Sequence, residues 1–339
     1  MHKKVTLKTI ARDLNLSPGT VSRVLNGKAK EFRISDETVA KVFRFAKQMN
    51  YSPNLIAKGL QASKTFTIGL MIPDISNPFF ALMAKYIQRA ALKANYSILL
   101  VDAEENIERE KKQLKNMVSR KVDGIIAAPV GTVFDHFQDI IAEGIPLVFI
   151  DRYFKNADVP YISSNNYNGA YEATKLLIEN GHKRIALIKG DEVIEPVKER
   201  REGFLNALAE FGVSQAKCWV VGNEFTIENG YLHTIELLES DEKPTAIFAM
   251  SNLIGLGVLK AVKEIKLKIP DDISLIIFDD QPYVSYIDPP ITTVKQNSEK
   301  IGELAIEFII KKIDNGSTKL ASQLIATNIM VRSSVKNIN

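Results

Sequence analysis

Two groups of residues in this chain have the types and spacing of recognition chemistry, and they call for different partners. Near the start, Arg23 stands beside Thr20, Ser22 and Asn26. A guanidinium can bond both acceptors on a guanine edge, so Arg23 is the candidate for direct base readout, with a surface contact to phosphate as the plainer alternative. Further on, side chains that suit a polyhydroxylated ligand recur just after apolar runs: Pro73-Asp74 with Phe79-Phe80, then Asp151-Arg152, Ser251-Asn252 and Asp279-Asp280. Carboxylates and Arg bond paired hydroxyls, while aromatic rings cover the C–H faces of a sugar or nucleoside. Each Asp alone fits a helix cap or loop equally well; the repetition points to a ligand.

Catalytic constellations are missing. The chain has no Gly-x-Ser-x-Gly, no phosphate loop ending in Gly-Lys-Ser/Thr, and four scattered histidines (2, 136, 182 and 233) without metal-ligand spacing. Gly255-Leu256-Gly257 lacks the later glycine of a dinucleotide fingerprint, position 260 being Lys. We therefore expect no enzyme, no cofactor and no metal.

The elements that must hold the first group form a compact head. Thr6 can cap a helix whose apolar positions Leu7, Ile10, Ala11 and Leu14 recur at helical spacing. Asn15 tolerates the left-handed turn that ends it, and Ser17-Pro18 opens a second helix that buries Val21, Val24 and Leu25 and stops at Asn26-Gly27. A third starts from Ser35 and packs through Val39, Val42, Phe43, Ala46 and Met49. Two short helices joined by a tight turn make a helix-turn-helix, whose second helix can enter a major groove. Pro18 and Gly19 offer no side-chain donors, so base reading there must rest on apolar contact, backbone or DNA shape. After it, Tyr51–Leu60 reads as one short helix, marginal alone and ordered when something binds it. Two copies could push Leu60 between base pairs in the minor groove, although an ordinary linker with an exposed Leu fits these residues as well.

From residue 65 onward, strand-like runs alternate with helical segments: Phe66–Ile72, Ser97–Val101, Gly124–Ala128, Leu147–Ile150, Arg184–Lys189, Ala246–Ala249 and Leu275–Phe278. Alternation of this kind implies parallel sheets covered on both faces, with ligands at the carboxyl ends of the strands. Charge divides at the same place. Residues 1–64 carry 13 Lys and Arg against 4 Asp and Glu, net +9, whereas the remainder is net −5. A basic head on a mildly acidic body is the footprint of a nucleic-acid-binding module. The single cysteine, Cys218, cannot form an internal disulfide, and the polar Met1–Lys4 lacks the apolar core of a secretory signal, so a reducing, cytoplasmic setting is expected. No apolar run reaches the roughly 18 residues of a membrane span. A solute-binding protein for transport would fit the body alone; the basic head argues against it.

These residues carry a resemblance. The chain resembles the lactose-repressor (LacI) type of bacterial transcription regulators along nearly its whole length, through Val5-Thr6-Leu7, Leu16-Ser17-Pro18, Thr20-Val21-Ser22-Arg23-Val24-Leu25-Asn26-Gly27 and Tyr51-Ser52-Pro53-Asn54. The body adds Pro73-Asp74-Ile75-Ser76-Asn77-Pro78-Phe79-Phe80, Val122-Asp123-Gly124, Asp151-Arg152, Gly181-His182, Gly203-Phe204, Phe278-Asp279-Asp280 and Thr292-Thr293-Val294-Lys295-Gln296. The resemblance implies a helix-turn-helix head (1–50), a hinge (51–64) and a periplasmic-binding-protein-like body (65–339) of two doubly wound parallel-sheet lobes. Its three crossovers would fall near Ser164, Ile291 and Leu324. That divides the body into a first lobe of 65–164 plus 292–323 and a second of 165–291 plus 324–335.

The resemblance also implies a homodimeric repressor on a pseudopalindromic double-stranded operator, controlled by a sugar-like effector. Thr6, Ser17, Pro18, Gly19, Thr20, Ser22, Arg23 and Asn26 would face DNA, joined by Tyr51, Asn54, Ala57, Lys58 and Leu60 of the hinge. By motif position Phe79, Asp151, Arg200, Phe225, Asp279 and Gln296 look like effector contacts, with Phe80, Ser251 and Asn252 beside them, and His182 falls in a structural motif. The chain departs from the family in three places. The loop from Asn26 to Ser35 is about three residues longer than the common form and adds Lys28, Lys30 and Arg33, which can touch phosphate. Ser251-Asn252 stands where Asn-Asp is usual, and Val331-Arg332-Ser333-Ser334 is not followed by a leucine-heptad helix, so no tetramer through such a tail is expected. Leu60→Ala should impair operator affinity in a fluorescence-anisotropy titration while leaving effector affinity intact; unchanged DNA binding would refute the wedge.

Overall fold

The computed structural model describes residues 5–49, 51, 64–316 and 319–339. The chain separates into two compact units, Met1–Thr65 and Phe66–Asn339. In the first, α1 (Leu7–Leu14), α2 (Pro18–Leu25) and α3 (Asp36–Gln48) each begin at a hydroxyl cap: Thr6, Ser17 and Ser35 accept the N–H groups of Thr9, Thr20 and Thr38. Asn15 takes the left-handed conformation (φ 57°) that ends α1 and lets Leu16 turn back onto the carbonyl of Ala11. Ile10, Ala11, Leu14, Val21, Val24, Val42 and Ala46 form the core. Phe43, expected inside, is 50% exposed. Val42 and Ala46 face inward, and Phe45 packs on the core flank instead.

The second unit contains two six-stranded sheets. The first joins β1 (Thr67–Ile72), β2 (Ser97–Asp102), β3 (Gly124–Ala127), β4 (Leu147–Ile150), β5 (Tyr161–Ser164) and β11 (Gln323–Ile325) in the order β11-β5-β4-β3-β1-β2, all parallel. The second joins β6 (Ile185–Ile188), β7 (Trp219–Val221), β8 (Ala246–Ala249), β9 (Ser274–Phe278), β10 (Thr292–Lys295) and β12 (Asn328–Met330) in the order β12-β10-β9-β8-β6-β7, parallel except for β12. The first sheet is flanked by α4 (Pro78–Lys93), α5 (Ile107–Ser119), α6 (Asp135–Ala142) and α11 (Ser298–Asn315). With the second go α7 (Asn166–Glu179), α8 (Glu195–Glu210), α9 (Ile227–Glu239) and α10 (Asn252–Glu264). Strands buried on both faces explain the continuous apolar runs.

Two crossovers differ from expectation. Thr292–Val294 pair with Ile276–Phe278, so this segment is a strand of the second lobe and the chain returns to the first only after Lys295, not near Ile291. Leu324 lies inside β11, paired with Ser163, so the last passage runs between Ile325 and Asn328. In both cases a further strand is added to a sheet before the chain leaves it, because an unpaired backbone at the sheet edge gains a hydrogen-bonded partner. The passages are tied together: the Asn165 N–H donates to the carbonyl of Ile325 (2.8 Å), and the Ser164 hydroxyl donates to Gln296 Oε1 (2.5 Å).

His182 is a structural bridge, with Nδ1 2.9 Å from the Thr245 hydroxyl and Nε2 3.1 Å from the carbonyl of Lys336; burial lowers its pKa. Among the described residues no helix is long and apolar enough to cross a membrane, and no group of three or more His, Cys, Asp or Glu is placed to hold a metal ion. The close approach of α7 and α8 needs a glycine: a Cβ on Gly203 would fall 2.2 Å from the backbone oxygen of Tyr167. Gly203→Ala should therefore destabilise the body by about 1–3 kcal/mol, seen as a lower urea midpoint; an unchanged midpoint would show that the helices can separate freely.

Candidate functional site

In the head, Ser17, Pro18, Gly19, Arg23 and Asn26 are exposed along α2, with Ser22 and Thr20 half-buried. The helix is held by its own polar side chains: Ser17 and Thr20 share a hydroxyl hydrogen bond (2.9 Å), and Asn26 donates to the Ser22 hydroxyl (3.3 Å). Thr6 is exposed at the start of α1, and Lys28 and Arg33 are exposed in the loop after α2. Hydroxyls at two helix N-termini beside free cations suit a phosphate backbone. Tyr51 differs from the rest of the expected set: it packs on the head core and donates its N–H to the carbonyl of Ala46 (2.9 Å). Asn54, Ala57, Lys58 and Leu60 lie outside the described residues.

In the body, all nine expected effector residues line one cavity between the two lobes. Phe79 and Phe80 open α4, their rings edge to face at 5.1 Å, with Asn77 as the helix cap. Asp151 follows β4 and Asp279 follows β9, both in the left-handed region (φ 58° and 85°). This turn at each strand end puts the carboxylate into the cleft, and such short polar side chains tolerate the conformation best. Arg200 comes from α8, Ser251 and Asn252 from the start of α10, and Phe225 from the loop before α9. Gln296 stands at the second crossover.

Burying so many charges requires partners, and most have them. Asp279 accepts from the Gln296 amide (2.6 Å) and from the backbone N–H of Asn252 (3.2 Å). Arg200 donates to Asn166 Oδ1 (2.9 Å) and to the carbonyl of Met250 (2.6 Å), with its guanidinium 3.6 Å from the Phe278 ring centroid. Asn252 donates to Asn77 Oδ1 (3.0 Å), one lobe to the other. Arg152, named from the sequence only as a strand-end residue, makes a two-pronged pair with Glu105 (2.6 and 2.7 Å) and lies between the rings of Phe80 and Phe225, 5.6 and 5.4 Å from their centroids. Asn77, Ile194 and Pro196 also line the cavity without having been singled out. Asn77 sits in the quoted motif beside Phe79, so its type was a signal; nothing local marks the other two.

Among the described residues that line the cavity, two buried oxygens have no hydrogen-bond partner, Asp151 Oδ1 and Asn252 Oδ1. Burial pushes the Asp151 carboxyl up to about 6, against the pull of Arg200 and Arg152. Burial likewise raises the pKa of Asp279 and lowers that of Arg200, while Arg152 is raised because Glu105 outweighs its desolvation. The cavity is narrow, about 30 Å³. A larger hollow of about 730 Å³ in the second lobe is lined by Leu256, Leu259, Ile269 and Ile287 together with Lys260, Lys263, Lys268, Asp271 and Asp288.

Because the folded pKa of Asp151 lies above its ordinary value of 3.8, its favourable contribution is complete below about pH 4 and is lost as pH rises through about 6. Asp151→Asn should thus be more stable than the parent chain by about 3 kcal/mol at pH 7.5 and by only about 1 kcal/mol at pH 4.5. Urea unfolding without ligand at the two values checks this; a gap independent of pH would exonerate the carboxylate.

Residues 6–54 match the model of "Bacterial regulatory proteins, lacI family", and residues 65–333 match "Periplasmic binding proteins and sugar binding domain of LacI family". The ribose operon repressor of Haemophilus influenzae is 32% identical, over 98% of this chain and 99% of that protein. A LacI family transcriptional regulator from Enterococcus faecium, solved with bound ribose, is 27% identical with a TM-score of 0.74 over 80% of this chain and all of its own. The lac repressor dimer bound to operator shares the fold, with a TM-score of 0.86 at 23% identity over 98% of this chain and all of that one. A helix-turn-helix head and a two-lobed body, both matched in order along one chain, identify it as a transcriptional repressor of the LacI family.

Proposed function

We propose that this repressor binds a pseudopalindromic operator as a homodimer and that an aldopentose of the ribose type, held between the lobes, controls its affinity for DNA. The observation that carries the effector reading is the pair of unpartnered buried oxygens, Asp151 Oδ1 and Asn252 Oδ1, in a cavity walled by Phe79, Phe80 and Phe225. Left alone, each orphan costs free energy; a ring of adjacent hydroxyls supplies the missing donors, and its oxygens can accept N–H groups from the two guanidiniums. The three rings suit the flat C–H faces of a small sugar, and the narrowness of the cavity favours a monosaccharide over a longer ligand. That a 32%-identical relative is a ribose operon repressor and that a neighbour holds ribose agree with this.

Ligand contact reaches the crossovers between the lobes in a single step. Gln296 lines the site, bonds Asp279, and accepts the Ser164 hydroxyl at the first crossover. A sugar that draws Asp151 and Asn252 together therefore acts on the segments about which the lobes pivot, biasing a two-state equilibrium that operator binding also biases. For pairing of two copies, the second lobe offers the mixed surface where half-buried Leu256, Leu259 and Ile287 stand beside Lys260, Lys263 and Lys268, next to Tyr286, which is 88% exposed. This function places the protein in the cytoplasm with its DNA and gives it no catalytic step.

Titration calorimetry with D-ribose, D-xylose, D-glucose and hypoxanthine tests the effector. D-ribose should bind most tightly, and Phe225→Ala should weaken it about tenfold by removing one stacking face. Preference for the purine base, or for none of the four, would overturn the assignment.

A further inference from the structure

The loop between α2 and α3 has an ordered design that the helix-turn-helix does not require. Residues 29–33 make a hydrogen-bonded turn, ended by Arg33 in the left-handed conformation (φ 52°). The Ile34 N–H returns to the carbonyl of Ala29 (3.0 Å) and the Arg33 N–H to that of Lys30 (3.2 Å), the paired bonds that close a helix end. Ala29 and Ile34 pack on the head core and fix the turn from below. That leaves Phe32 on the outside, 46% exposed, with the Arg23 guanidinium 3.9 Å from its ring centroid. Among the described residues no carboxylate or carbonyl takes the N–H groups of Arg23.

We infer that Phe32 is a positioning residue for Arg23, a platform that holds the guanidinium edge-on to the operator and so sharpens the choice of base at one position. The inference rests on the reading of the head as the operator-binding unit. The stack occupies the flat face of the guanidinium by attraction to the ring's π cloud, and the N–H edge, which does the base reading, stays open. An arginine otherwise loses considerable rotamer freedom on binding; one already held by a ring loses less, and the gain appears only where its edge meets the matching base. The surroundings agree. Lys28, Lys30 and Arg33 make the loop cationic, a setting for phosphate rather than for an apolar partner, so the exposed ring has its use in the side chain lying on it.

The test begins by selecting duplexes from a randomised pool with the full chain, then titrating the winner and its single-base variants by fluorescence anisotropy at one fixed salt concentration. Arg23→Ala identifies the base pair that Arg23 reads. Phe32→Leu, which keeps an apolar side chain but removes the ring face, should weaken binding to the winner about three- to fivefold. It should leave duplexes altered at that base pair unaffected and add nothing in the Arg23→Ala background. Phe32→Tyr should match the parent chain, and circular dichroism should show the head folded in every variant. Phe32→Leu indistinguishable from the parent, an equal loss on every duplex, or additivity with Arg23→Ala each overturns the inference while leaving the operator reading intact. A parent chain that enriches no duplex overturns both.

Discussion

Four charged side chains, Asp151, Asp279, Arg152 and Arg200, are each at most 5% exposed around one narrow cavity. Removing an ion from water costs several kcal/mol even after relaxation, so such a cluster persists only where fixed groups replace the lost hydration. Much of the body's architecture meets that demand. Glu105 reaches across from the end of β2 to hold Arg152, Asn166 at the start of α7 holds Arg200, and Gln296 with the first N–H of α10 holds Asp279. These groups come from both lobes and from the crossovers between them. The electrostatics of the cleft and the geometry of the hinge are thus one problem with one solution.

The solution is incomplete at Asp151, and this incompleteness suits a receptor. A cavity in which every polar atom were satisfied would bind nothing tightly, because a ligand would have to displace bonds as good as those it offers. The carboxyl of Asp151 and the amide oxygen of Asn252 are left short of protein partners, and donors of a hydroxylated ligand can supply the missing bonds. That supply depends on both lobes, since the two orphans sit on opposite sides of the cleft.

The head solves a different problem with less material. Its core is seven small or medium apolar side chains, so it has little burial to stabilise long loops. The extra residues after α2 are ordered nonetheless, by the backbone closure at Arg33 and by Ala29 and Ile34 reaching the core. The segment sets the exposed ring of Phe32 against the guanidinium of Arg23.

Local pattern alone marked the three helices of the head, because hydroxyl caps, Asn15 and the Pro at the start of α2 are short-range signals with short-range causes. It marked the seven long apolar runs because strands buried on both faces must be apolar throughout. The strand-end residues were legible for the same reason: a parallel sheet presents its carboxyl ends to a ligand. What escaped depends on partners distant in sequence. The strands β5, β7, β10, β11 and β12 are three or four residues long, and four of them include polar or exposed positions that look like loop until a neighbouring strand pairs with them. The crossovers shifted by a few residues for that reason, and Phe43 faces water because the two other helices, not its own spacing, set which side of α3 is inside. Likewise the residue types of Asn77, Arg152 and Phe32 were on the page, but only the folded chain brings Asn77 to Asn252, Arg152 between two rings, and Phe32 beneath Arg23. Composition and periodicity report which groups a chain must bury; tertiary contact alone decides which of them meet.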